Sequence, residues 1–176
     1  LRAGVDNVQP PIGSGLHGHL KHFLHDLHSC DLLVHALSAS GLELEPDGKY
    51  LDFGCSTGRT ISTLACYLGS PNLVACDPVK SSVDWASQNH RSVRFFQSPV
   101  WPRLPLEDDS LDGVYSNSVW THFSENAALT WLQEMHRIIK PGGFFCFTTK
   151  GLMSIAIALN NPKRSEEHTS ELQSLL

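Results

Sequence analysis

The five residues Gly54-Cys55-Ser56-Thr57-Gly58 follow the short run Tyr50-Leu51-Asp52-Phe53 and precede a helical pattern that starts near Thr60. Glycines in a strand-to-helix turn let backbone approach a ligand closely, and the helix start presents unpaired N–H groups. Asp77 follows Gly58 by 19 residues and closes the next apolar run, Leu73-Val74-Ala75-Cys76. At that spacing a carboxylate accepts hydrogen bonds from both hydroxyls of a ribose. A glycine turn with an acid so placed points to a nucleoside-containing cofactor. The nicotinamide fingerprint G-x-G-x-x-G would need glycine where Ser56 and Arg59 stand, and a P-loop would need four residues between its glycines and then lysine. Neither fits.

Two other chemistries are written in the same chain. Gly54-Cys55-Ser56-Thr57-Gly58 also spells G-x-S-x-G, the nucleophile elbow of serine hydrolases, with Asp112 and His136 downstream to complete a triad. Against it, Asp112 opens its apolar run instead of ending it, which puts it at the wrong edge of a sheet. His19, His22, His25 and His28 recur every third residue. Steps of three drift 60° around a helix, so only neighbours converge, and no Cys or carboxylate completes a ligand set; no metal is expected.

The turn resembles the first motif of class I S-adenosylmethionine-dependent methyltransferases, D-x-G-x-G-x-G, matched at Asp52, Gly54 and Gly58 with Ser56 at the middle glycine. Further on, residues 104–117, beginning Leu104-Pro105-Leu106, resemble the family's L-P-F-x-D-x-S-F-D-x-V segment. Residues 131–143, ending Lys140-Pro141-Gly142-Gly143, resemble L-x-E-x-x-R-x-L-K-P-G-G. The ordered set covers residues 49–150. The resemblance implies S-adenosylmethionine as cofactor and methyl transfer to a small-molecule acceptor. It implies that Asp52, Gly54 and Gly58, with Cys55 and Ser56 between them, hold the amino-acid part. It places Asp77 on the ribose, Pro78 and Val79 on the adenine face, and Ser98 where many relatives carry an Asp for the adenine amino group. Asn117 then faces the methyl and the substrate mouth. His122 is the candidate general base for a hydroxyl or protonated amine, since its ordinary pKa lies near neutral. Plainer readings stand beside these: Asp77 as a helix cap before Pro78, His122 as a cap for the helix near Ser124, and Asp52 as a buried structural carboxylate. A non-catalytic nucleotide-binding fragment is the alternative to the enzyme.

Periodicity supplies the elements that must hold this constellation. Apolar residues from Leu20 to Leu37 recur at threes and fours, predicting a helix that Ser29-Cys30-Asp31 interrupts. Strands are expected at 50–53, 73–76, 93–96, 111–115 and 144–148, and helices at 60–68, 81–89 and 125–139. Repeated strand, helix, strand units predict an α/β fold with a parallel sheet and right-handed crossovers. The resemblance sharpens this to a Rossmann-like, doubly wound sheet of order 3-2-1-4-5-7-6, incomplete at the C-terminus, whose fifth strand presents an open edge.

The chain has 176 residues, 13 Lys+Arg against 18 Asp+Glu, and a net charge of −5. That acidity argues against a partner bound through its phosphate backbone, so no nucleic acid is expected. The longest weakly polar stretch, 151–159, is far short of the ~20 apolar residues that span a bilayer. Five cysteines without a C-x-x-C suit a reducing, cytoplasmic setting. The organisation expected is an extended leader at 1–15, a helical segment at 16–45 and a cofactor-binding domain at 46–163. Residues 164–176, with Arg164-Ser165-Glu166-Glu167-His168-Thr169-Ser170, resemble a translated sequencing adapter and are expected to be a non-native tail. The opening Leu1 and that tail lead to the expectation that the natural chain extends further.

Overall fold

Five apolar runs bounded by turns become five strands: β1 (Tyr50–Phe53), β2 (Leu73–Asp77), β3 (Val93–Gln97), β4 (Leu111–Ser116) and β5 (Ile139–Phe147). Helices α1 (His19–Ala39), α2 (Arg59–Leu68), α3 (Lys80–Asn89) and α4 (Glu125–Ile138) alternate with them. The computed structural model describes residues 19–69 and 72–149, with side chains from residue 26 onward. The expected leader, the side chains of His19, His22 and His25, the stretch 151–159 and the expected tail lie outside the described residues.

The strands pair in parallel in the order β3-β2-β1-β4-β5. Each return crosses over through a helix or a long loop, and the order reverses between β1 and β4, the switch point where such sheets bind ligands. On one face Tyr50, Cys55, Ile61, Leu64 and Tyr115 pack with Cys30, Leu33 and Leu37 of α1. On the other, Leu51, Phe53, Val74 and Val114 pack with Trp131, Met135 and Ile138 of α4, and with Leu104 and Leu106 of the β3–β4 loop. Among the described residues β5 pairs with β4 alone, and Phe147 at its end is exposed.

Two expectations change. Helix α1 runs unbroken through Ser29-Cys30-Asp31, because Asp26, Cys30, Leu33 and Leu37 at spacings of four, three and four form the buried stripe. Leu27 and Leu32, counted in the apolar pattern, are exposed. Burying Leu33 and Leu37 is worth about 1.5–3 kcal/mol each, more than the mild helix penalty of Ser and Asp. Strand β5 starts at Ile139, not Phe144. Ile139 pairs with Leu111, a bulge then takes Lys140-Pro141-Gly142-Gly143 out of register, and regular pairing resumes at Gly113 and Phe144.

Candidate functional site

The glycine turn is tied to β2 before any ligand is considered. The N–H groups of Gly54 and Cys55 both donate to the Cys76 carbonyl, at 2.9 and 3.0 Å, and Gly58 N–H donates to the Cys55 carbonyl at 2.8 Å. Gly54 and Gly58 both sit at positive φ, +82° and +72°. A Cβ on Gly58 would stand 2.5 Å from the Phe95 ring, and one on Gly54 would collide with Val119. Ser56, at the middle position, is also left-handed with φ +51°, a conformation that costs a non-glycine residue roughly 1 kcal/mol. Cys55 is buried beneath the turn, and burial pushes its thiol pKa up, so it stays neutral.

Asp77 reaches back to this turn. Its Oδ2 accepts from Ser56 N–H at 2.7 Å and its Oδ1 from Val79 N–H at 2.9 Å. Val79, without a side-chain cap, is the N-cap of α3, so Asp77 closes the turn before the helix and does not cap it. Burial raises the Asp77 pKa, while the Val79 and Ser56 amides pull it down. Each carboxylate oxygen has a second lone pair, so both remain able to accept a ligand hydroxyl. Pro78 and Val79 are exposed at the mouth beside it. Ser98 is buried at the end of β3, its N–H donating to the Asp77 carbonyl at 3.0 Å.

Asp52 lies on β1, 3% exposed, with Tyr115 of β4 as its Cα partner. Burial raises its pKa to about 7, against the pull of the Tyr115 hydroxyl and with a further push from Asp77. A carboxyl so raised binds its proton in the folded chain at pH values where the unfolded chain has lost it. Its contribution to stability is therefore complete below about pH 4 and is lost as pH rises to about 7. Asp52→Asn removes this slope, which amounts to at most about 1.4 kcal/mol per pH unit. Denaturant unfolding of both chains at pH 5 and pH 8 checks it: the parent's stability should fall relative to the variant's.

Asn117 follows β4 and is fixed from two sides. Its Nδ2 donates to Ser29 Oγ of α1 at 3.1 Å, and Thr148 Oγ1, after β5, donates to its Oδ1 at 3.2 Å. Ser118 N–H donates to the same Thr148 oxygen at 2.7 Å. His122 ends a 3-10 turn, Trp120–His122, and is exposed. Ser124 Oγ caps α4 by accepting from Ala127 N–H, so His122 is not needed there. Arg59, at the start of α2, pairs with the buried Asp26 at 3.4 Å.

The structure thus gathers Asp52, Gly54, Cys55, Ser56, Gly58, Asp77 and Asn117 at the carboxyl ends of β1, β2 and β4, with Ser98 beside them. The hydrolase triad is not gathered. Asp112 lies at the opposite end of β4, bonded to Lys49 N–H at 2.8 Å and Lys140 Nζ at 2.6 Å. His136, in the last turn of α4, is at that far end too. Among the described residues no cluster of three metal-ligating side chains occurs. Sequence reading missed Tyr115, Ser29 and the identity of Asp26 as the ion-pair partner of Arg59. Only strand register brings Tyr115 to Asp52, and only the docking of α1 brings Ser29 to a residue 88 positions away.

A family model described as "Methyltransferase domain" matches residues 51–147. A bifunctional biotin-biosynthesis protein from Teredinibacter turnerae is 33% identical over 57% of this chain and 19% of its own length. A malonyl-[acyl-carrier protein] O-methyltransferase from Pectobacterium atrosepticum is 32% identical over 57% of this chain and 38% of its own. Among solved structures, an S-adenosylmethionine-dependent methyltransferase from Thermotoga maritima superposes with a TM-score of 0.57 at 20% identity, covering 81% of this chain and 63% of that one. One from Aquifex aeolicus gives 0.51 at 23% identity, covering 58% and 56%. The chain spans less than half the length of these two curated relatives.

Proposed function

The chain belongs to the class I S-adenosylmethionine-dependent methyltransferases, and from that premise we propose that its site passes a methyl group to a small-molecule acceptor by in-line displacement. The observation that carries the reading is the Asp77 carboxyl, bonded to the Ser56 and Val79 amides and so holding the glycine turn against the neighbouring strand end. The residues present fit the cofactor. Thr57 Oγ1 and the Tyr115 hydroxyl are buried and complete hydrogen-bond geometry with no group among the described residues, leaving polar capacity for a ligand beside the turn. The turn residues 54–58 with Asp52 would hold its amino-acid part, Asp77 its ribose, and Pro78, Val79 and Ser98 its adenine.

The cofactor supplies a sulfonium methyl that is already activated for displacement, so the protein's part is alignment and exclusion of water. Asn117, held by Ser29 and Thr148, presents a fixed amide at the mouth. His122 would take the proton of a hydroxyl or ammonium acceptor. A small acceptor is supported by the net charge of −5, which disfavours polyanions. It is supported also by the malonyl unit, a small acyl group borne on a carrier protein, in the name of the Pectobacterium relative. A cytoplasmic setting is supported by five free cysteines; among the described residues no helix is long and apolar enough to cross a membrane. The test is calorimetric titration of the full chain with S-adenosylhomocysteine, followed by label transfer from methyl-labelled cofactor to panels of hydroxy, amino and carboxy compounds. Saturable binding and transfer to one panel are expected. Folded chain that does not bind overturns the reading, and binding without transfer to any small compound leaves the nucleotide-binding fragment.

Ser56→Gly separates this from hydrolysis. Replacing the left-handed serine with glycine should leave cofactor binding intact or tighter by a few-fold and remove backbone strain of roughly 1 kcal/mol. Titration with S-adenosylhomocysteine and thermal unfolding of the variant check both. An esterase activity present in the parent and lost in the variant would restore the nucleophile reading.

A further inference from the structure

Tyr115 is the fifth residue of β4 and stands opposite Asp52 in the β1–β4 register. Residues opposed on neighbouring strands project to the same face, here the face that α1 and α2 cover. Both are buried, at 5% and 3% exposure. The phenol oxygen stands against the Asp52 carboxyl, yet completes hydrogen-bond geometry with no group among the described residues. A buried hydroxyl left so is uncommon in native proteins and marks a place where something else completes the bond.

The groups around it decide what that is. Asp52 of β1 stands opposite Tyr115, Cys55 of the turn and Cys30 of α1 share the tyrosine's buried cluster, and Asp77 of β2 acts on Asp52. Burial pushes the Cys30 thiol up to about 12 and the Cys55 thiol up as well, so both are neutral. The groups here that can carry charge are the Asp52 and Asp77 carboxyls, which burial biases toward their protonated forms and a neighbouring cation would return to carboxylates. The cation at the start of α2, Arg59, is engaged by Asp26. A buried corner with carboxylates, an unmade hydroxyl and no free cation among these groups takes a positively charged hydrogen-bond donor.

We infer that Tyr115 is a cofactor-binding residue: its hydroxyl donates to Asp52 and accepts from the α-ammonium of the cofactor's amino-acid part, so that phenol and carboxyl hold that group together. A phenol that gives its proton to a carboxylate keeps lone pairs free for an incoming N–H. The inference rests on the reading of the turn as an S-adenosylmethionine site, and the experiment separates the two.

The full chain and Tyr115→Phe are titrated with S-adenosylhomocysteine and with 5′-methylthioadenosine, which keeps adenine, ribose and thioether but lacks the amino-acid group. Loss of one hydrogen bond to a charged group should weaken S-adenosylhomocysteine about tenfold in the variant. Methylthioadenosine should change less than twofold, so the ratio of the two affinities falls about tenfold. An unchanged ratio overturns the inference, because a merely structural loss weakens both ligands together. A parent chain that binds neither ligand fails the proposed function instead. If Tyr115→Phe does not fold, 3-fluorotyrosine placed at position 115 keeps the hydroxyl. Its ¹⁹F resonance should move with S-adenosylhomocysteine and stay with methylthioadenosine, and equal movement with both overturns the inference.

Discussion

Asp77→Ala should weaken S-adenosylhomocysteine binding by roughly 100-fold or more in calorimetric titration. Two losses combine. A ribose diol donating to the two carboxylate oxygens makes two hydrogen bonds to a charged group, worth roughly 1.5–3 kcal/mol each, and the alanine makes neither. The same carboxylate holds Ser56 N–H at 2.7 Å and Val79 N–H at 2.9 Å, so its removal also loosens the glycine turn and the entry to α3. The Gly54 and Cys55 bonds to the Cys76 carbonyl remain, which is why the variant should still fold, with a stability loss of about 1–3 kcal/mol. Asp77→Asn keeps one acceptor oxygen and should fall between parent and alanine variant. A folded Asp77→Ala chain that binds within fivefold of the parent would show that the ribose is held elsewhere.

How much of this was legible depends on the range of the interaction that carries it. The glycine turn, Asp77 and the parallel sheet could be read because each rests on local spacing, a short apolar strand, a turn and an acid 19 residues on, whereas the strand order came from the family resemblance. The positions of the strands emerged almost to the residue for the same reason. The β5 start did not, because Ile139 joins the sheet through a pairing with Leu111 that a bulge interrupts, and the turn residues Pro141 and Gly142 hide it. The continuity of α1 was hidden too. Its buried stripe includes Asp26 and Cys30, a polar residue and a small one, and Asp26 has the Arg59 guanidinium against it. Tyr115 and Ser29 needed register and docking, which single-sequence periodicity does not encode. Ser56 is the reverse case: its departure from glycine was visible at once, while its left-handed φ of +51° was not.

Arg137→Ala should cost about 3 kcal/mol or more of folding stability in denaturant unfolding at pH 7. The guanidinium forks onto Glu134, with Nη2 to Oε1 at 2.6 Å and Nε to Oε2 at 2.9 Å, and Nη1 donates to the Leu106 carbonyl at 2.8 Å. Glu134, 5% exposed, also accepts Leu104 N–H at 2.6 Å. The pair therefore staples the β3–β4 loop to α4 just where Leu104 and Leu106 enter the core. Removing the arginine leaves a buried carboxylate uncompensated, the situation that costs about 3–5 kcal/mol; the contact with the exposed Asp108 adds little. Arg137→Lys should recover only part, since a point charge cannot reproduce the fork. Burial raises the Glu134 pKa, but the Arg137 fork and the Leu104 amide outweigh it and hold it below the usual range. The pair's stabilisation is thus present at neutral pH and lost as pH falls through that lowered value, so the difference between parent and Arg137→Ala should shrink toward pH 3. The other end of the loop is anchored separately, by Ser98 N–H on the Asp77 carbonyl. Folded Arg137→Ala should consequently bind S-adenosylhomocysteine within about threefold of the parent, one hydrogen bond's worth or less. A larger loss of affinity would mean that the staple on α4, and not the strand ends alone, sets the position of Ser98 at the cofactor site.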